Sequence, residues 1–188
     1  MNNQHSWASF YQELADKLLA YKNDRQPLIS MLNDVYSRIE MQLPKLEADE
    51  LNDIDPFTVF GLFNKGITDT NRQKIIAGIA EVFDIGADQP TDFEGIPVLN
   101  NLNATFYAFA NDERRGEHDI DNLWHVFEAE LVLAADDSEE NRKAFVEAFD
   151  ATVTQFTLGW KLTMGLYWAR PYSFISLDSR NRWFMADV

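Results

Sequence analysis

The chain has 188 residues, no cysteine and a formal net charge of −15 at pH 7. Its 46% hydrophobic and 13% aromatic residues supply enough apolar material for the core of one domain, which excludes a disordered chain. The lack of cysteine excludes a disulfide framework and a thiolate metal site. Since the sequence also has no run of eighteen apolar residues and no signal-peptide pattern, we expect a soluble, cytoplasmic protein that is not bound to a membrane.

Apolar side chains at helical spacing predict helices in the first half of the chain. The first runs over 7–21 and the second over 28–39. Asp55 followed by Pro56 is typical of an N-cap and first helical residue, and it opens a short helix with three phenylalanines. We interpret that helix as part of the core, the alternative being a docking helix for a partner. Thr68 or the residue after it caps the next helix.

The second half begins with less regular patterns. We expect a helix over 98–109, although it holds three asparagines and asparagine is a poor interior helix former. A stronger apolar stripe predicts a helix over 119–131. Another helix starts at Ser138, with Phe145, Ala148, Phe149 and Phe156 facing inward.

The segment over about 158–184 differs from the rest. Leu162, Met164, Leu166 and Trp168 alternate with other residues at a period near two, which predicts a strand, and 173–177 is interpreted as a second short strand. The predicted fold class is therefore mainly α: a helical bundle over about 1–157 with a small C-terminal two-stranded β element. We expect 1–188 to form a single domain.

Catalytic patterns are weak throughout. Asp53 and Asp55 precede Lys65 but lack the spacing of a nuclease metal site, and helix capping explains them better. His118 and His125 lie two helical turns apart, which favours a surface pair over a metal site. The sequence has no phosphate-binding glycine loop and no Gly-x-Ser-x-Gly turn. We therefore expect no catalytic residue, metal or cofactor in this chain.

Charge is distributed unevenly along the chain. Residues 151–188 hold four basic and two acidic side chains, whereas the remainder holds 12 and 29. This basic tail is rich in aromatic residues, whose faces stack on nucleic-acid bases while arginines hold phosphates. The opposing interpretation is that the tryptophans fill the core and the arginines pair with surface acids. As candidate DNA-binding residues the pattern gives Trp168, Arg170, Tyr172, Arg180, Asn181, Arg182 and Trp183.

Five motifs between residues 53 and 183 carry a resemblance that extends over about residues 7–184. They are DIDPFTVFGLFNKGIT at 53–68, TDFEGIPVLNN at 91–101, DIDNLW at 119–124, WKLTMGLYW at 160–168 and DSRNRW at 178–183. This series resembles the N-terminal regions of McrB-like AAA+ proteins, the motor subunits of modification-dependent restriction systems.

The resemblance implies a role in anti-phage defence. In such systems an N-terminal domain selects the DNA target, often a 5-methylcytosine, a following AAA+ domain hydrolyses GTP or ATP with Mg²⁺, and a partner nuclease cuts. The motor is absent from this chain, so the resemblance implies target recognition without catalysis, in a full-length protein that forms a ring oligomer. The series supplies no DNA-contact motif, so the candidate residues depend on the aromatic and basic pattern alone.

A different class of function stays open. The −15 charge disfavours binding of a polyanion over a broad face. The alternative is a protein-interaction module that recruits the nuclease or senses a phage protein, without direct DNA contact.

Overall fold

A computed structural model describes residues 6–101 and 104–186, without the side chains of Arg180 and Ala186. Its α-helices over these residues are α1 (Ala8–Leu18), α2 (Gln26–Arg38), α3 (Pro56–Gly61), α4 (Asp69–Val82), α5 (Asp119–Ala135), α6 (Glu139–Val153), α7 (Lys161–Ala169) and α8 (Ser179–Ala186). A 3₁₀ turn, Leu19–Tyr21, extends α1. The prediction of a mainly α fold is confirmed.

Helix α3 lies at the centre of the core. Every residue of this helix is buried, including Phe57 and Phe60, so the interpretation as a core helix is confirmed. Asp55 caps it as predicted, since one carboxylate oxygen accepts hydrogen bonds from the backbone N–H groups of Phe57 (2.8 Å) and Thr58 (3.0 Å). Around it pack α5 and α7, and α1 packs on α7.

Side chains of α1 close one side of this core. Trp7, Phe10 and Tyr11 are at most 1% exposed. The Tyr11 hydroxyl donates to Asn64 Oδ1 over 2.7 Å, which links α1 to the segment that follows α3. Buried aromatic residues contribute much of the apolar area of a core, so these contacts hold the two elements in a fixed relation.

The predicted C-terminal strand over 162–168 is wrong, because this segment forms α7. Leu162 and Leu166, four residues apart, are both buried, and Gly165 lies so close to α3 that a Cβ there would be 2.6 Å from Phe57 Cδ1. A helix that is buried on nearly all sides carries apolar residues all round, and its pattern does not separate helix from strand. Residues 174–178 are irregular and form no second strand.

The predicted helix over 98–109 is also wrong, although two of its residues, 102 and 103, lie outside the described residues. Leu99 forms an isolated parallel bridge to Lys65, its N–H donating to Asn64 O over 2.8 Å. The chain then runs close to α3, where a Cβ on Gly61 would be 2.6 Å from Ala104 O. Tertiary pairing of the backbone thus takes the place of the local helix.

Helices α5 and α6 form a helical hairpin in which α5 packs into the core and α6 lies at the surface. Ser138 caps α6 as predicted, with Asn141 N–H donating to its hydroxyl over 3.3 Å. Phe145 and Phe149 are half-buried against the core, but Phe156 is 41% exposed, so its predicted inward orientation is wrong. It follows the end of α6, and the Arg114 guanidinium lies over its ring at 3.7 Å.

Over the two described stretches, no helix is both long and apolar enough to cross a membrane.

Candidate recognition surface

The structure separates the aromatic residues of the C-terminal segment into a buried and an exposed group. Trp168 is fully buried in α7, where its ring meets Phe106 edge-on at 5.8 Å and its Nε1 donates to Pro97 O over 3.0 Å. Trp183, by contrast, is 70% exposed and Tyr172 is 68% exposed. A base can stack only on an exposed ring, so Trp168 belongs to the core and the other two to the surface.

Arg170 fastens the end of α7 to α1. Its guanidinium donates to Gln12 O (3.3 Å) and to the Asp16 carboxylate, and the side chain is 11% exposed. Below it lies Glu130, a fully buried residue of α5 whose carboxyl oxygens have no hydrogen-bond partner among the described residues. Burial raises the pKa of Glu130 well above its ordinary value, and the charge of Arg170 opposes this shift. These contacts give Arg170 a structural role.

Lys161 is also buried and therefore does not contribute to a basic surface. Its ammonium donates to Thr105 O and lies 4.7 Å from the centre of the Phe106 ring. Burial lowers the pKa of Lys161 to about 8, and burial raises the pKa of Asp55 to about 6, although the Asp55 carboxylate accepts several hydrogen bonds and is attracted by Lys161. Shifted values of this kind occur at catalytic sites and in structural ion networks alike. Here both groups lie in the core beneath α3, so we assign them to the fold.

Helix α8 carries the remaining candidates except Tyr172, which lines a separate cavity with Asp137 and Arg142 beside the α5–α6 hairpin. Asp178 caps it, accepting from Asn181 N–H over 2.9 Å, and the Asn181 side chain donates to Ser176 O over 2.6 Å. Further back, Leu177 N–H donates to Thr163 Oγ1 over 2.8 Å and ties the segment to α7. Asn181 therefore helps to hold the start of α8 in place.

Arg182 and Trp183 form the basic and aromatic part of this helix. The Arg182 guanidinium lies 5.5 Å from the centre of the Trp160 ring, and Trp160 is itself 53% exposed. An open cavity of about 670 Å³ is lined by Ser179, Asn181, Trp183 and Phe184. Arg180 also belongs to α8, but its side chain lies outside what the structure describes.

The structure adds three residues that were not among the predicted DNA-binding residues: Trp160, described above, and Phe184 and Met185. Phe184 and Met185 are 67% and 62% exposed beside Trp183. Three consecutive large apolar residues point in different directions on a helix, so one packing face cannot bury them all. The three consecutive apolar residues were therefore the signal in the sequence from which an exposed apolar surface could have been predicted. We call Trp160, Arg182, Trp183, Phe184 and Met185 together the α8 surface.

The other candidates for chemistry are dispersed. His118 is a surface residue whose Nδ1 lies 3.8 Å from an Asp121 carboxylate oxygen, and His125 is exposed. Asp53 pairs with Arg25 at 3.0 Å. Over residues 6–101 and 104–186, no group of three or more histidine or acidic side chains is arranged to hold a metal ion.

These features define the class of protein: a mainly helical domain with a buried polar network and an exposed aromatic and basic helix near the end of the described chain. The chain belongs to the family described as "Domain of unknown function (DUF8425)", whose model matches residues 7–188. No curated protein and no solved structure matches the chain.

Proposed function

We propose that this chain is the target-recognition domain of a McrB-like restriction protein, and that it contacts DNA through α8. The observation that carries the proposal is the exposed Trp183 beside Arg182 on a helix that has no acidic residue over Ser179–Ala186. In a chain of net charge −15, a helix that holds arginines and no acidic residue repels a phosphate less than the acidic segments do. The order of motifs shared with McrB-like N-terminal regions supports the same assignment.

The proposed contact has two parts. The exposed Trp183 ring offers a face on which an unpaired or flipped base stacks, whereas the exposed Tyr172 lines a different cavity with Asp137 and Arg142 and does not belong to this contact. Arg182 holds a backbone phosphate while Asn181 keeps the start of α8 in position. The buried Trp168 and the Asp16-bound Arg170 belong to the packing of α7 and are not part of this contact. The domain binds without a reaction of its own, and nucleotide hydrolysis and DNA cleavage belong to other parts of the system.

A titration with fluorescently labelled duplexes at low salt tests the proposal. Arg182→Ala should weaken binding and lower the salt dependence by about one phosphate contact. Trp183→Ala should cost about 1–3 kcal/mol of binding free energy if one base stacks on it. Arg142→Ala is the matched control, because this exposed arginine lies in the acidic α5–α6 hairpin. Equal binding by all three variants and the wild type would remove α8 from the DNA contact.

The exposed apolar residues at the end of α8 favour a second function, binding of a protein partner. Phe184 and Met185 expose apolar surface that carries neither charge nor hydrogen-bonding groups for DNA. The alternative proposal is a protein-interaction module that recruits a nuclease or senses a phage protein. Pull-down with the neighbouring gene products distinguishes the two, since recovery of nucleic acid alone contradicts the alternative.

A further inference from the structure

Helix α8 exposes more apolar area than a solitary surface helix ordinarily does. Trp183, Phe184 and Met185 are each between 62% and 70% exposed, and an aromatic side chain buries about 150–250 Å² when it is covered. Contiguous exposed apolar patches of more than a few hundred Å² mark interaction sites on soluble proteins. The α8 surface is therefore built to be covered by another molecule.

The charge of α8 indicates what covers it. This helix holds two arginines and no acidic residue, in a chain whose residues before 151 carry all but two of its 31 acidic side chains. A complementary partner must present acidic side chains around an apolar centre. The same chain presents such a surface on the α5–α6 hairpin.

The hairpin surface consists of exposed residues on α5, α6 and their connection. Residues 136–150 hold six acidic and two basic side chains. Two valines of the hairpin, Val132 and Val146, are 45% and 53% exposed. We call this set the acidic hairpin surface: Val132, Asp136, Asp137, Glu139, Glu140, Val146, Glu147 and Asp150.

We propose that the α8 surface of one copy docks on the acidic hairpin surface of a second copy. Arg182 meets the carboxylates, while Trp183 and Phe184 cover the exposed valines. Because the two surfaces differ, the contact is heterologous: each copy uses α8 toward one neighbour and the hairpin toward the other. Association then continues beyond a dimer, either closing into a ring or extending as a chain, and it weakens as salt rises.

Sedimentation velocity over a range of protein concentrations tests the inference, with no nucleic acid present. Trp183→Ser should shift the midpoint of association to a concentration higher by about tenfold or more, whereas Ile175→Ser, an equally exposed apolar site before α8, should leave it unchanged. The double substitution Glu147→Lys with Asp150→Lys should raise the midpoint concentration of association as Trp183→Ser does. Its control is Asp88→Lys with Glu94→Lys, which changes the net charge equally at exposed positions away from the hairpin.

Mixing the two defective proteins gives the decisive result. The Trp183→Ser protein keeps its hairpin, and the Glu147→Lys/Asp150→Lys protein keeps its α8 surface, so a mixture retains one intact contact. At concentrations where the wild-type protein associates but neither variant does, we expect each variant alone to be monomeric and the mixture to form a dimer that grows no further. A wild-type protein that stays monomeric overturns the inference, and so does a mixture without dimers. Since the measurement excludes DNA, either result leaves the proposed DNA contact to its own test.

Discussion

The cap of α3 is a buried contact whose loss should cost a large part of the stability of the fold. In Asp55→Ala, the backbone N–H groups of Phe57 and Thr58 lose their acceptor at a site that is fully buried. A buried donor left without a partner costs about 1–3 kcal/mol, so the two predict a loss of about 2–6 kcal/mol of unfolding free energy. Domains of this kind have about 5–15 kcal/mol in total, and the variant should be close to its limit of stability.

Urea unfolding followed by tryptophan fluorescence and circular dichroism measures this loss. Asp55→Asn keeps an oxygen for both N–H groups, so we expect it to lose less than half as much as Asp55→Ala. Thr68→Ala removes the exposed cap of α4 and should cost about 1 kcal/mol. A loss below about 1 kcal/mol for Asp55→Ala, or equal losses for the alanine and asparagine variants, would refute the reasoning.

The buried side chains of Asp55 and Lys161 predict how the stability of the fold depends on pH. Burial raises the pKa of Asp55 to about 6 from 3.8, so between these values the folded state holds more protons than the unfolded chain, and the carboxyl's contribution to stability falls as pH rises. Burial lowers the pKa of Lys161 to about 8 from 10.5, so stability rises with pH in that upper window. Asp55→Asn should flatten the lower dependence and Lys161→Met the upper one. An unchanged slope in either variant would contradict the assignment of that group.

Further variants test the division between core and surface. Trp168→Ala should lower the unfolding free energy by about 3–5 kcal/mol because its ring is buried, whereas Trp183→Ala should change it by less than about 0.5 kcal/mol; similar losses in urea unfolding would contradict this division. Gly165→Ala places a methyl group 2.6 Å from Phe57 Cδ1 and should cost about 1–3 kcal/mol, and a stability equal to that of the wild type would show that α7 and α3 are not in close contact.

Elements defined by local chemistry were predictable from the sequence. Asp55 and Ser138 cap the helices that they were expected to cap, and Thr68, one of the two candidates before α4, caps that helix. A short polar side chain before a helical pattern satisfies free N–H groups within the same few residues. The apolar stripes of α1, α2 and α5 are likewise local properties of the sequence.

The errors have a common cause in tertiary contacts. Helix α7 is buried on almost every side, so its apolar residues follow no single period. The alternation of Leu162, Met164, Leu166 and Trp168 with other residues therefore resembled a strand. The segment over 98–109 is held by pairing of Leu99 with the chain near Lys65. Such distant contacts leave no mark in the local pattern.

The candidate surface was predictable in part, for the same reason. Trp168 and Trp183 both stand in aromatic motifs, and residue type alone does not tell a buried ring from an exposed one. Arg170 is bound by Asp16 of α1 and Lys161 donates to Thr105 O, and both partners are far away in sequence. The consecutive Trp183, Phe184 and Met185 were the one local signal that an exposed apolar surface lies on α8.

The most direct test of the central proposal is the affinity of the wild-type domain for two otherwise identical duplexes, one with 5-methylcytosine and one without. It should be measured at low salt, and at protein concentrations below those at which the domain associates with itself. Our account predicts tighter binding to the methylated duplex, and loss of that preference in Trp183→Ala with no change in Arg142→Ala. Absence of binding to both duplexes would contradict it.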